Sequence, residues 1–304
     1  MIRTFTEGDL DDAAALLAER HRQHCVAQPL LTAERDFRAE VEALWQKEGA
    51  AGAFAEGGYV LGWSRPDSAW GPNVWVEAAG HAAEEPELVR DLYEFAASRW
   101  VEQGLKAHHV LVPATDARLI DAWFRLSFGA QHAQGVLEVP DVAWPPGVRE
   151  AEERDVDAMV ELAPFLNRHQ RHAPVFSPAS SWTVEEVRAD ILEDLAKDEV
   201  GNLVAELDGH VVGNFVVCPI ELSNEHFGLA RLPGAAFLGF AITHPDARGS
   251  GAGVALTDAC FAWARKRGYR TMLTDWRVTN LLSSRFWPKR GFRTSFLRLH
   301  RLIA

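Results

Sequence analysis

Cysteine is scarce. Cys25, Cys218 and Cys260 are the only three in 304 residues, too few and too scattered for a disulfide framework, and that usage fits a reducing compartment. No uninterrupted apolar run approaches the roughly 20 residues that a membrane span requires, so no membrane association is expected. The opening stretch "MIRTFTEGDLDD" turns acidic at once and lacks the basic and apolar regions of a secretory leader. Together these absences lead to the expectation of a cytoplasmic protein. Tyrosine is equally rare, with Tyr59, Tyr93 and Tyr269 the only three, which restricts where a phenol can act as an acid. The remaining composition, 47% hydrophobic and 24% charged, is that of a globular chain long enough for two cores.

Charge is unevenly spread. From His244 onward there are 12 Lys/Arg against 3 Asp/Glu, whereas the residues before it carry 19 against 40. A cationic segment on an acidic chain points to one anionic ligand site, with an acidic surround that disfavours nucleic acid as a partner. Part of that positive charge has another reading: Arg265, Lys266 and Arg267 close a helical pattern, where the helix dipole favours cations.

The chain also repeats itself. "IRTFTEGDLDDAAALL" from Ile2 and "VREAEERDVDAMVEL" from Val148 align without gaps, matching Arg3 with Arg149, Asp9 with Asp155 and Asp11 with Asp157. Both read as a short strand, an acidic helix start and an amphipathic helix. "AEGGYVLGW" (55–63) parallels "AELDGHVVGN" (205–214), each a hairpin with glycine at or near its turn. "FAASRWVEQGLKAHHVLV" (95–112) parallels "FAWARKRGYRTMLTD" (261–275), a helix stopped by glycine before a strand. Each half then closes with helix, glycine and a last strand. This order predicts an α/β fold with a mixed sheet, present twice, and the Pro-rich "EVPDVAWPPG" (138–147) is the natural connection.

One short stretch, "DARGSGAGVAL" (246–256), separates an apolar strand-like run from a helical pattern with Ala252, Leu256, Ala259 and Trp263 on one face and Gly268 at its end. It is not a dinucleotide fingerprint, because Val254 follows where the third glycine is needed. It is not a Walker loop, because it has no lysine. A glycine loop feeding a helix N-terminus still makes an anion cradle, since successive N–H groups and the helix dipole converge on one spot.

Arg248-x-x-Gly251-x-Gly253 resembles the acetyl-CoA pyrophosphate loop of the GNAT N-acetyltransferase superfamily. "NLLSSRFWPKRGF" (280–292) resembles that superfamily's second motif, an asparagine opening a helix that ends in Gly-Phe, with Asn280, Ser283, Phe286, Gly291 and Phe292 at the expected offsets. The resemblance implies two tandem GNAT-like domains. Residues 1–140 would be a degenerate copy without a CoA loop, 141–147 the Pro-rich linker, and 148–304 an acetyl-CoA-binding domain. In the first half the corresponding segment is "AAGHAAEEP" (78–86), where Glu84 and Glu85 would repel a pyrophosphate, and Arg118 stands opposite Asn280.

The same resemblance implies the cofactor contacts. The strand edge at Ala241, Ile242 and Thr243 would bind the pantetheine arm, with an amide near Ile242 for the oxyanion. The amides of Arg248, Gly249, Ser250, Gly251, Ala252 and Gly253 would hold the pyrophosphate. Asn280 would touch the cofactor, or act as a helix N-cap, and Arg285, Lys289 and Arg290 would serve the 3′-phosphate or form a solvated face. Trp287 stands where the family usually has a tyrosine that donates to the leaving thiolate. It is counted with the cofactor-contacting positions, and a core role is its other reading, because an indole has no accessible acid chemistry.

Asp275, an ionisable group among apolar strand neighbours, is the first candidate base, with pairing to Arg277 or Arg248 as its other reading, and Glu221, Glu225 and His226 follow. His169 with His172, and His21 with His24 and Cys25, have helical spacing but no convincing further ligand; they read as surface groups, and no metal is expected. "SWTVEEVRADILEDLAKDEV" (181–200) opens with a capping box, Thr183 with Glu186, and carries seven carboxylates that form a solvated face or attract a cationic amine. Trp182 and Trp276 are candidates for an acceptor wall. The expected activity is acetyl transfer from acetyl-CoA to a small amine by direct attack in a ternary complex. A catalytically inactive acyl-CoA sensor is the alternative, and an aminoacyl-tRNA-dependent transferase is disfavoured by the acidic surface.

Overall fold

The computed structural model describes residues 1–65, 71–178, 182–223 and 228–304. The first half runs β1 (Arg3–Thr4), α1 (Leu10–Ala27), α2 (Phe37–Trp45), β2 (Ala51–Ala55), β3 (Gly58–Arg65), β4 (Asn73–Val76), β5 (His81–Ala83), α3 (Leu88–Glu102), β6 (Ala107–Pro113), α4 (Ala117–Phe124) and β7 (Gly129–Glu138). The second runs β8 (Val148–Glu150), α5 (Val156–Arg171), α6 (Val184–Leu195), β9 (Gly201–Leu207), β10 (His210–Pro219), β11 (Ala236–Thr243), α7 (Ala252–Lys266), β12 (Thr271–Arg277), α8 (Ser283–Lys289) and β13 (Arg293–Leu302). The order is the same in both, except that one long strand of the second half, β11, corresponds to β4 and β5 separated by a 3-10 turn at Ala78–Gly80.

The matched residues of the two repeats perform matched work. Arg149 holds the buried Asp155 with two N–H donors, at 2.6 and 2.8 Å, while Asp155 also accepts from the Glu152 amide at 2.8 Å. Arg3 holds Asp9 in the same way, with one bond at 2.7 Å, and Asp9 accepts from the Thr6 amide at 2.8 Å. Each guanidinium pulls its aspartate well below the usual carboxylate range, so the charge that fixes the chain's entry into the helix is permanent near neutrality. The turn between β9 and β10 is equally local in origin. Asp208 and Gly209 both take positive φ (51° and 78°), the mirror-image turn that matches strand twist and that Asp-Gly favours.

The chain forms two compact units: Met1–Gln134 with Phe227–Arg231 and Thr294–Ala304, and Gly135–His226 with Leu232–Arg293. In unit 1 the strand order is β1-β2-β3-β4-β6-β13, with β5 also on β3. Strand β13, last in the chain, runs antiparallel to β6 from Phe296 opposite Pro113 to Leu302 opposite Ala107. One layer of core holds Trp100, Trp123, Tyr93 and Leu299; the other holds Phe5, Leu17, Tyr59 and Phe296. In unit 2 the order is β8-β9-β10-β11-β12, followed by the end of β7, where the Val139 amide donates to Arg270 O at 2.8 Å. Helix α7 buries Leu256, Ala259 and Trp263 completely, and Gly268, at φ 85°, ends it. Each repeat thus lends the final residues of its sequence to a sheet, and the last strand of the second repeat completes unit 1.

Among the described residues no helix is long and apolar enough to cross a membrane.

Candidate active site

Strands β11 and β12 lie parallel for only three pairs, Ala236 with Met272, Phe237 with Leu273 and Leu238 with Thr274. Beyond them β11 keeps its partner on the other side but with a slipped register: Leu238 faces Val217 and Phe240 faces Val216, so Gly239 is an extra, bulged residue. A Cβ at Gly239 would stand 2.7 Å from the Phe237 ring, which explains glycine there. Past the bulge, Phe240–Thr243 pair with β10 alone among the described residues, and their other edge looks onto the opening between the two strands.

The glycine loop follows at once. Gly249 and Gly251 take φ 86° and 94°, a conformation costly for any residue with a Cβ. The loop then uses its N–H groups alternately. Arg248 N donates to Pro245 O (3.2 Å), Ser250 N to Ala247 O (3.2 Å) and Ala252 N to Ser250 Oγ (3.3 Å). The N–H groups of Gly249, Gly251 and Gly253 have no acceptor among the described residues. Of the six amides expected from the sequence, those of Arg248, Ser250 and Ala252 are thus engaged within the tight turn, and those of Gly249, Gly251 and Gly253 are not. Arg248 is exposed and forms no ion pair among the described residues. Three unengaged donors at the N-terminus of a 15-residue helix, beside a free guanidinium, fit a bound pyrophosphate.

Asn280 is buried, and its Oδ1 accepts from the amides of Leu282 (3.0 Å) and Ser283 (3.4 Å), so the N-cap reading holds. The same oxygen lies 3.1 Å from His169 Nε2 on α5. An amide oxygen only accepts, so His169 Nε2 is the donor in this contact. His169 is half-buried rather than a surface group, and sequence reasoning missed its place in the site: the contact spans 111 residues and no local pattern encodes it. Arg118, matched to Asn280 by alignment, has no such role. In unit 1 Asp116 caps the corresponding helix, accepting from Leu119 N at 2.9 Å, and Arg118 pairs with Glu85.

Other expectations divide. Trp287 is 5% exposed and sits among Phe215, Phe286 and Phe292, with ring centroids 6.1, 4.9 and 5.6 Å away, so it is a core residue. Arg290 is paired with Asp258 of α7, which leaves Arg285 and Lys289 as the exposed cations of α8. Asp275 is half-buried, one residue beyond the last β11–β12 pair. Glu221 is exposed and accepts from the Gly234 amide at 2.9 Å, near the start of β11 rather than the end that carries the loop. Glu225 and His226 lie outside the described residues. Trp276 is buried against Gly135, where a Cβ would come within 2.6 Å of the indole, so it forms no acceptor wall, and Trp182 is exposed. His21 and His24 are buried, not surface groups, and among the described residues no cluster of three His, Cys, Asp or Glu is placed to hold a metal.

Residues 165–292 match the model of the acetyltransferase (GNAT) family. This stretch is a GNAT domain. No curated protein matches the chain. Among solved structures, a GCN5-related N-acetyltransferase from Sphaerobacter thermophilus superposes with a TM-score of 0.61 at 14% identity, covering 99% of this chain and 95% of its own. A GCN5-related glucosamine N-acetyltransferase region from a fungal multi-domain GH3 β-N-acetylglucosaminidase gives 0.58 at 14% identity, covering 99% of this chain and 38% of its own. At that identity the likeness concerns the fold, and its coverage of both halves is consistent with a tandem arrangement around the GNAT domain.

Proposed function

We propose that the protein transfers an acetyl group from acetyl-CoA to a small amine by direct attack in a ternary complex. The observation that carries this is the loop before α7, with three unengaged glycine amides and an unpaired Arg248 beside the splayed edge of β11. The amides of Gly249, Gly251 and Gly253 bind the pyrophosphate. The free edge of Ala241, Ile242 and Thr243 takes the pantetheine arm, which brings the thioester toward the Gly239 bulge and in line with an amine entering between β11 and β12. Asp275 acts as the base. Asn280 contacts the cofactor through its amide group while its oxygen is held by His169. The cofactor supplies the activated acyl group; the chain supplies alignment, N–H donors and the proton acceptor. We assign the two sequence repeats, 1–140 and 148–304, to one ancestral fold that kept its anion cradle only in the second copy.

Gly253 gives the sharpest test. Unlike Gly249 and Gly251 it has no positive φ, and a Cβ there would meet Thr243 Oγ1 at 3.6 Å and the Phe286 ring at 3.8 Å, ordinary contact distances. Gly253→Leu therefore strains no backbone, and helix propensity favours a side chain there by up to about 1 kcal/mol, while the branched chain fills the space at the edge of the cradle beside Thr243 and Phe286; an unchanged melting temperature checks that the fold is kept. Calorimetry with acetyl-CoA should show binding to the wild type and at least tenfold weaker binding to the variant. Equal binding by both removes the cradle from the proposal. The packing of Trp287 in the core, where relatives carry a proton donor, favours one second reading, an acyl-CoA sensor. Tight binding without thiol release across a broad amine panel would establish it.

A further inference from the structure

Unit 1 has its own cleft. β4 runs parallel to β6 from Asn73 with Ala107 to Val76 with Val110, and β5 then continues without β6, so the two diverge as β11 and β12 do. A cavity of about 960 Å³ opens there, walled by α1, the β2–β3 turn, the end of β5 and the start of α4. The cavity is not a second cradle for a pyrophosphate. Its loop, Glu84–Glu87, has no glycine and three carboxylates, of which Glu85 pairs with Arg118 and Glu87 with Arg125.

What lines the floor is a buried cation. Arg20 on α1 is 8% exposed, and no carboxylate among the described residues forms an ion pair with it. Its terminal nitrogens donate to the carbonyls of Ala78 and His81, and one lies 3.3 Å from His81 Nδ1, but all of these partners are neutral. Among the described residues its Nε–H has no acceptor. His81 cannot compensate the charge either, since its Nε2 donates to Leu111 O at 3.0 Å and burial keeps the ring neutral. A guanidinium taken out of water is costly when its counter-charge, here Asp116, acts on it only from beyond ion-pair distance, and an anion reaching it from the cavity recovers part of that cost. The mouth carries both signs: Asp12, Glu19, Glu56 and Glu84 line it and are exposed, Asp116 lies half-buried beside them, and Met1, Arg3 and Arg118 stand among them, with Arg3 held by Asp9 and Arg118 by Glu85.

We propose that this cavity binds a small zwitterion, an amino acid or short peptide, with its carboxylate at Arg20 and its ammonium group among the mouth carboxylates. The buried guanidinium at the floor, without a carboxylate in ion-pair contact among the described residues, matches a monoanion, and the mouth carboxylates supply partners for an ammonium group. The scale suits a short peptide. Asp12 stands eight residues before Arg20, about 12 Å along the helix axis at 1.5 Å per residue, close to the length of an extended tripeptide.

Calorimetry on the full chain tests this with tri-alanine, the twenty free amino acids, tri-alanine amide, N-acetyl-tri-alanine and sodium acetate. At least one free zwitterion should bind, and its amidated and N-acetylated forms should each bind at least tenfold more weakly. Glu56→Gln with Glu84→Gln, both at exposed positions, should weaken the zwitterion at least fivefold while the melting temperature stays unchanged. Arg20→Met should abolish binding, and if it also unfolds the chain the carboxylate pair decides the matter. Gly253→Leu should leave zwitterion binding untouched, so that failure of the acetyl-CoA cradle and failure of this cavity are read separately. Absence of binding by every zwitterion, equal binding of the blocked forms, or acetate binding as tightly as the peptides overturns the proposal.

Discussion

At the residue scale, unit 1 holds its imidazoles in a state that acid will break. His24 and His81 are pulled down to about 3 and His108 to about 4, in each case first by burial. Arg20 adds repulsion at His24 and His81, and at His108 the Leu105 carbonyl works in the opposite direction, toward the charged form. His108 also meets the Tyr93 hydroxyl at 2.8 Å, and His24 meets the Phe296 ring edge-on at 4.8 Å. The folded protein therefore binds fewer protons than the unfolded chain, whose histidines titrate near pH 6.5. The stability they allow is complete above about pH 6.5 and falls as the pH drops toward 4, by up to about 1.4 kcal/mol per pH unit for each imidazole. Three such groups against a typical stability of roughly 5–15 kcal/mol place the acid transition of unit 1 near pH 5. Near-UV circular dichroism across pH 3–8 checks it. His108→Gln should shift that midpoint to lower pH, and a wild-type midpoint below pH 3 would contradict neutral burial. None of this was legible in the sequence, where His21 and His24 look like one polar helical face; burial depends on what packs against the helix, and spacing does not carry that.

At the scale of single elements, legibility followed locality. The Thr183–Glu186 capping box of α6, with bonds of 2.7 and 3.2 Å, the Asp208–Gly209 turn and the glycine that ends α7 all rest on residues within five positions of one another. The Arg149–Asp155 clasp was visible as a repeated spacing before its geometry was known. The entry to α8 is different. Its cap Asn280 was recognisable, yet the ring that secures the cap belongs to α5. His169→Ala removes one of three hydrogen bonds to Asn280 Oδ1, which should destabilise the α8 entry by about 0.5–1.5 kcal/mol and weaken acetyl-CoA binding three- to tenfold. His169→Gln, which keeps an N–H donor but cannot titrate, should recover most of the binding. If transfer also loses a pH-dependent limb in the glutamine variant, His169 carries a proton in the reaction as well as positioning Asn280. Unchanged affinity in both variants would show that the contact positions nothing.

At the scale of the whole molecule, the repeat in the sequence and the compact units in space are different objects. A strand reads as a strand from its own alternation, but nothing in that alternation names its neighbour. β13 belongs to the second repeat by descent and to unit 1 by pairing, where Phe296 and Leu299 are completely buried in its two core layers. Ending the chain at Arg293 therefore removes an antiparallel strand and two core side chains from a unit that begins almost three hundred residues earlier. Losing a buried phenylalanine and leucine costs about 5–10 kcal/mol before the exposed β6 edge is considered, comparable with the stability of a whole domain. Differential scanning calorimetry of the 1–293 chain should thus show unit 1 unfolded at 25 °C, and a separately produced 1–140 fragment should aggregate through its bare β6 edge. Adding a 294–304 peptide should rescue the truncated chain if β13 acts through pairing and packing. A truncated protein that melts with the full-length one would mean that the strand adds nothing to unit 1, and the two repeats could then be separated at the Pro-rich 141–147 connection.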